Sequence, residues 1–233
     1  MAKTLIRVGH KGADHVAPGN TAASFQAALD CRVDMIEFDV LPLSGGRLVL
    51  AHDYEDAAAR EPLTLVEGLD HLAGEAYADV ELDVDLKLPG YEREVVEGLL
   101  ERDLGERSVI SSTYPESLRI VGDLAPHIRR GWSVPRARRD YTQSRLWMAF
   151  AYGAIAWIRG ALPSRAARAI GAGECEALMS HRLLVSRRLV KAVHSAGGVL
   201  YVWTVDDPAE IRRLERLGVD AVITNDPRLF SAG

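Results

Sequence analysis

Residues 81–87 read Glu81-Leu82-Asp83-Val84-Asp85-Leu86-Lys87, an unbroken alternation of ionisable and apolar side chains. Strand geometry sends successive side chains to opposite faces, so Glu81, Asp83, Asp85 and Lys87 share one face and Leu82, Val84 and Leu86 the other. Such a strand is either an edge open to water or part of a sheet with a polar, functional mouth. Its surroundings decide. β-type runs at 5–9, 35–39, 108–111, 129–134, 177–180, 199–204 and 220–224 alternate with helical stretches at 21–30, 92–102, 115–124, 186–195 and 208–217, the first opened by Asn20 or Thr21 as a cap. Eight βα units in series predict a parallel sheet, and eight is the number that closes a (β/α)8 TIM barrel. An open Rossmann-type sheet is the rival, but no Gly-x-Gly-x-x-Gly follows the first strand. A closed barrel has no edges, which turns the acids of 81–87 into a polar mouth.

The whole chain fits one such domain. Its 233 residues are 48% apolar and 26% charged, an ordinary globular balance that leaves two full domains crowded. A net charge of −5 argues against a general nucleic-acid binder. Cys31 and Cys175 are too few for a disulfide framework, which predicts a reducing compartment. The first ten residues lack the apolar core of a signal peptide, so a cytoplasmic location is expected. The longest uncharged, strongly apolar run, 146–158, has 13 residues against the ~20 that span a bilayer.

One run breaks the simple alternation. Residues 47–51 are strand-like but follow the second strand through only Leu43-Ser44-Gly45-Gly46, a connection that joins antiparallel strands. A hairpin excursion is therefore expected after the second strand, bringing His52 back to the level of Asp39. Catalytic groups of barrels stand at the C-terminal strand ends. Those ends here are His10-Lys11-Gly12, Glu37-Phe38-Asp39, Asp83-Val84-Asp85-Leu86-Lys87, Ser111-Ser112, Trp203 to Asp206, and Thr224-Asn225-Asp226. Ser111 and Ser112 lie in no Gly-x-Ser-x-Gly elbow and read as structural. His71, His127, His181 and His194 have no motif around them, and His15 lies in the first βα loop.

These motifs make the chain resemble the glycerophosphodiester phosphodiesterase family. His10-Lys11-Gly12 and Gly19-Asn20-Thr21 match its opening His-Arg-Gly and Glu-Asn-Thr. Ile36-Glu37-Phe38-Asp39-Val40 and His52-Asp53 match Ile-Glu-x-Asp-Val and His-Asp. Asp85-Leu86-Lys87, Ser111-Ser112, Trp203-Thr204-Val205 and the stretch from Gly218 to Thr224 follow in order. Three positions depart from the pattern: Lys11 for Arg, Gly19 for Glu and Asp85 for Glu.

The resemblance implies metal-dependent hydrolysis of a glycerophosphodiester to an alcohol and sn-glycerol 3-phosphate. Cleaving a phosphodiester needs an acid, a base and neutralisation of charge. His10 and His52 suit acid and base because imidazole titrates near neutrality. Glu37, Asp39 and Asp85 form an all-oxygen set that favours Mg2+ or Ca2+, with Asp83 an alternative to the shorter Asp85. Lys11 and Lys87 would hold phosphate oxygens, and Trp203 would pack on glycerol or the alcohol group. A small-molecule or lysolipid phosphodiester is the expected partner, with lysophospholipase D-type cleavage the alternative reaction. A barrel that binds phosphate esters without turnover is the alternative of a different class.

The unit between the fifth and sixth strands is oversized, and residues 135–176 read as a helical insert with room for a second helix. It opens with Pro135-Arg136-Ala137-Arg138-Arg139, and its stretch 146–158 is apolar nearly all round. That pattern predicts either a hydrophobic cap in peripheral contact with a membrane or burial against neighbouring helices or in a homodimer.

Overall fold

The computed structural model describes residues 4–136 and 145–231, the side chains of 145–152 and 154 excepted. Eight parallel strands close a barrel: β1 (Ile6–Gly9), β2 (Met35–Pro42), β4 (Glu81–Leu86), β5 (Ser108–Ser112), β6 (Arg129–Val134), β7 (Ala177–His181), β8 (Val199–Trp203) and β9 (Ala221–Thr224). Closure is made by β1, which pairs with β2 on one side and β9 on the other. β3 (Leu48–Leu50) pairs antiparallel with β2 alone. The hairpin turn takes Gly45 at φ 81° and Gly46 at φ 80°, left-handed positions that glycine adopts without a Cβ penalty. Its register pairs Val40 with Leu50 and Leu41 with Val49. Extended by one step, Asp39 faces Ala51, so the return strand falls one residue short of the expected symmetry between Asp39 and His52.

Around the barrel run α1 (Ala22–Asp30), α2 (Tyr54–Ala59), α3 (Leu65–Leu72), α4 (Glu92–Leu100), α5 (Pro115–Leu124), α6 (Arg145–Gly171), α7 (Arg187–Ser195) and α8 (Pro208–Leu217). Local chemistry sets many of their ends. Thr21 and Thr64 form capping boxes with Ser24 and Glu67, Asp207 caps α8 ahead of Pro208, and Gly218 at φ 86° stops it. Two apolar layers lie between barrel and helices, one built on Phe25, Phe38, Val84 and Leu99, the other on Leu178, Leu189, Leu200 and Val222. The third cluster fills the barrel itself, with Val8, Met35, Val109, Met179, Tyr201 and Ile223. Beyond that plug, towards the C-terminal strand ends, the interior turns acidic. Parallel register sets Glu37 beside Asp83 and Asp39 beside Asp85.

Among the described residues, the unit after β6 holds one continuous helix, α6, in place of a barrel helix plus a second one. Its C-terminal half belongs to the barrel wall, since Leu162, Ala166 and Ile170 pack into the second apolar layer at four-residue spacing. Arg138 and Arg139 lie outside the described residues. No helix among the described residues is long and apolar enough to cross a membrane. Both cysteines are free thiols.

Candidate active site

Burying carboxylates in a barrel is costly unless each is paired or has a function. Glu37, Asp39 and Asp83 are nevertheless almost fully buried at the mouth. Asp39 is the best satisfied. The amide of Asn20, itself fully buried, donates to Asp39 Oδ2 at 2.8 Å, and the Asp39 main-chain N–H donates back to Asn20 Oδ1 at 3.0 Å. Lys87 completes the pairing, its ammonium bridging Asp39 Oδ1 and, at 2.6 Å, Asp85 Oδ2. Burial opposes the ionisation of Asp39, but Lys87, with His52 and His10, holds it well below the usual carboxylate range.

Glu37 lies under opposite pressure. Its Oε2 accepts the Lys11 main-chain N–H at 2.8 Å and stands 3.8 Å from His10 Nε2. Burial and the adjacent Asp39 charge push its carboxyl well above the ordinary value. Asp83, beneath them, is raised to about 7 by burial, although Ser111 Oγ donates to its Oδ1 at 2.6 Å.

One oxygen from each of Glu37, Asp39 and Asp85 falls within 4.8 Å of the others. With all three ionised, the carboxylates against the single ammonium of Lys87 leave two negative charges, and all the donors are hard oxygens. The residues therefore fit a divalent hard cation, as donor chemistry requires of Mg2+ or Ca2+.

Two histidines approach this cluster, each held through one ring nitrogen. His10 follows β1, and its Nδ1 lies 2.5 Å from Asn225 Oδ1. The Asn225 amide nitrogen donates to Asp206 Oδ2 at 2.7 Å, which fixes the carbonyl end towards His10. Nδ1 is then the protonated nitrogen, and Nε2, on the Glu37 side, is free to accept a proton. Burial lowers the His10 pKa, outweighing the pull of Asp39 and Asn225. His52 follows β3, half exposed, with Nδ1 donating to Asp53 Oδ2 at 3.0 Å. Asp53 is held in turn as the cap of α2.

His10, His52, Glu37, Asp83, Asp85, Lys87, Ser111 and Trp203 line one cavity of about 510 Å³, with Leu41, Leu88, Met179 and Ile223 as its apolar wall. Asp39 is fully buried beside it. The Trp203 ring stands edge-on to His181 at 5.2 Å, and its buried indole N–H has no partner among the described residues, leaving a donor for a ligand oxygen. The Lys11 ammonium turns aside to Asp14 at 2.7 Å, so it is the main chain of Lys11 that meets Glu37. Ser112 donates to the Leu86 carbonyl and supports the strand. The strand-end reading placed Asn225 and Asp206 at the barrel mouth but assigned neither a role. Their only local signal is that both are polar residues following barrel strands.

The sequence model of the glycerophosphoryl diester phosphodiesterase family matches residues 10–60 and 75–229. A curated glycerophosphodiester phosphodiesterase of Caldanaerobacter subterraneus is 26% identical over 97% of this chain and 95% of its own length. One of Bacillus subtilis is 25% identical over 97% of this chain and 85% of its own. Among solved structures, the Oleispira antarctica phosphodiesterase in complex with the product sn-glycerol-3-phosphate superposes with a TM-score of 0.70 at 21% identity, covering 97% of this chain and 95% of that one. A glycerophosphodiester phosphodiesterase from Agrobacterium tumefaciens reaches 0.72 at 19% identity, covering 99% and 100%.

Proposed function

The chain belongs to the glycerophosphoryl diester phosphodiesterase family, and from that premise we propose that it hydrolyses glycerol-linked phosphodiesters to an alcohol and sn-glycerol 3-phosphate, acting as one barrel domain over residues 1–233 with 135–176 as an insert. The observation that carries this reading is the meeting of Glu37, Asp39 and Asp85 with two histidines whose proton-bearing Nδ1 atoms are tied back to Asn225 and Asp53. His10, neutral because it is buried, accepts at Nε2 the proton of the attacking water or substrate hydroxyl. His52, on the solvent side and beside Asp53, delivers a proton to the departing alcohol oxygen. Lys87 neutralises phosphate charge from within the cavity, and Lys11, held on Asp14, adds positive potential behind it. Trp203 donates its indole N–H to the glycerol or phosphate. When bound by Glu37, Asp39 and Asp85, Mg2+ or Ca2+ supplies Lewis-acid stabilisation of the phosphoryl oxygens. The free thiols of Cys31 and Cys175 agree with a reducing, cytoplasmic setting.

Glycerophosphocholine, glycerophosphoethanolamine, glycerophosphoglycerol and lysophosphatidylcholine, each offered with Mg2+, Ca2+, Mn2+ or EDTA, test the reading by release of a phosphomonoester. Release with a divalent cation and none with EDTA is expected. Silence with every substrate and cation would leave a phosphate-ester-binding barrel in its place. Lysophospholipids are the second reading for substrate, favoured by the exposed Trp157 on α6.

A further inference from the structure

Large apolar side chains left in water carry meaning when they share a face. Six stand exposed among the described residues: Val16, Tyr54, Val66, Leu100, Trp157 and Leu183. Four of them belong to the mouth side of the barrel. Val16 lies in the loop after β1, Tyr54 directly after His52-Asp53, Leu183 in the turn after β7, and Trp157, 70% exposed, on α6. The height of Trp157 follows from its neighbour Arg159, whose guanidinium donates to the Val185 carbonyl at 2.9 Å. Val185 ends the turn that leaves the mouth end of β7, so Arg159 stands at rim level.

Below that level Leu162, Ala166 and Ile170 fix α6 to the barrel, and Ile155 and Ile158 still touch the same layer. Beyond Ile155 the helix runs on through residues 145–154, about 15 Å at 1.5 Å per residue. Residues 146–158 carry no charge, and α6 as a whole contains Arg145, Arg159, Arg165 and Arg168 but no Asp or Glu, in a chain whose net charge is −5. Exposed Arg136 and Arg182 flank it in the same sector, while the exposed acids Asp53 and Glu55 stand across the mouth.

We infer that the mouth rim, led by the N-terminal half of α6, docks on an anionic lipid surface. The uncharged part beyond Ile155, residues 146–154, spans about 14 Å, enough to enter one leaflet and too little to cross the ~30 Å core. The exposed Arg136, Arg159 and Arg182 at rim level complement anionic headgroups. A second copy of the chain fits less well, because antiparallel pairing would set one acid-free, arginine-bearing helix against another. Self-pairing through α6 also leaves Val16 and Tyr54 without a purpose. Docking in this way turns the cavity towards the membrane, so that lysophospholipids at its surface become the substrate class. That last step rests on the proposed phosphodiesterase activity, whereas the docking itself does not.

Cosedimentation of the full chain with two kinds of vesicle separates these claims, one of phosphatidylcholine alone and one of equal parts phosphatidylcholine and phosphatidylglycerol. Wild type is expected to sediment with the mixed vesicles and release as salt rises. Trp157→Ser weakens that partitioning, and Trp147→Ser/Trp157→Ser weakens it on the order of tenfold or more, as loss of buried interfacial aromatic area requires. Both variants keep wild-type turnover of soluble glycerophosphocholine, which also shows that they fold. Failure of wild type to bind either vesicle, equal binding to both kinds, or unchanged binding by the double variant overturns the docking. So does a solution dimer that the double variant dissociates. Vesicle binding without hydrolysis of any diester keeps the docking and rejects the activity.

Discussion

Each histidine of the site is held through Nδ1 by a neighbouring side chain, His10 by Asn225 and His52 by Asp53. His10→Ala removes the proposed base and is expected to lower kcat/KM by about 10²- to 10⁴-fold with circular dichroism unchanged. Burial already holds His10 below its ordinary value, so the acid limb of wild-type activity, where His10 takes up a proton, is expected to lie below the ordinary histidine range. Asn225 is a positioning residue: it accepts the Nδ1 proton and thereby raises the His10 pKa. Asn225→Ala is expected to cut kcat more than it raises KM and to move the acid limb of the kcat/KM profile to lower pH. An unmoved limb would show that Asn225 does not set the state of His10. Asn20 plays the matching part for Asp39, and Asn20→Ala leaves a buried carboxylate short of a donor, costing about 2 kcal/mol of stability in urea melts.

Secondary structure was legible where periodicity and caps agree. The eight barrel strands and five of the helices can be drawn from alternating runs bounded by residues such as Thr21, Pro115 and Pro208. α2 and α3 escaped that pattern because each is short, although the pairing of Thr64 with Glu67 is a readable capping box. The hairpin was legible from its length, but its register was not, since Gly45 and Gly46 both turn left-handed and set Asp39 against Ala51. Because β3 leads into His52, the turn belongs to the site. Gly45→Ala/Gly46→Ala meets open space yet forces two Cβ-bearing residues into positive φ, costing about 2 kcal/mol in total, and the melting temperature should fall. Lowered kcat with it would show that the hairpin positions His52. At Gly9 the constraint is contact, since a Cβ there would collide with the Gly12 carbonyl at the foot of the first catalytic loop.

Across the whole molecule, the barrel separates an apolar plug from an acidic mouth, and stability should register the difference. Asp83 has a folded pKa near 7, raised above its unfolded value by burial, so its contribution is present at acid pH and lost as pH rises through about 7. Glu37, raised for the same reason, acts in the same direction. Without divalent cation, thermal melts are therefore expected to show stability falling as pH rises from about 4 to about 7. Added Mg2+ or Ca2+ stabilises by about 2.7 kcal/mol at a hundredfold excess over Kd, and by more at pH 8 than at pH 6 because protons compete for the same carboxylates. Equal melts with and without cation at both pH values would remove the metal site. Acidic alternation in residues 81–87 foretold this polar mouth. No local pattern could foretell Asn225, which reaches His10 only because the barrel closes.

That closure ties the order of synthesis to the onset of catalysis. His10 is made near the start of the chain, and its partner 215 residues later, beyond the strand that joins β1 and completes the ring. On the ribosome, strands β1 to β8 can gather every carboxylate and both histidines while His10 still lacks its anchor. The proposed base is accordingly oriented only once β9 has closed the ring. A chain stalled before β9 is expected to carry His10 without its Asn225 anchor, so proper orientation of that imidazole reports that the last strand has arrived.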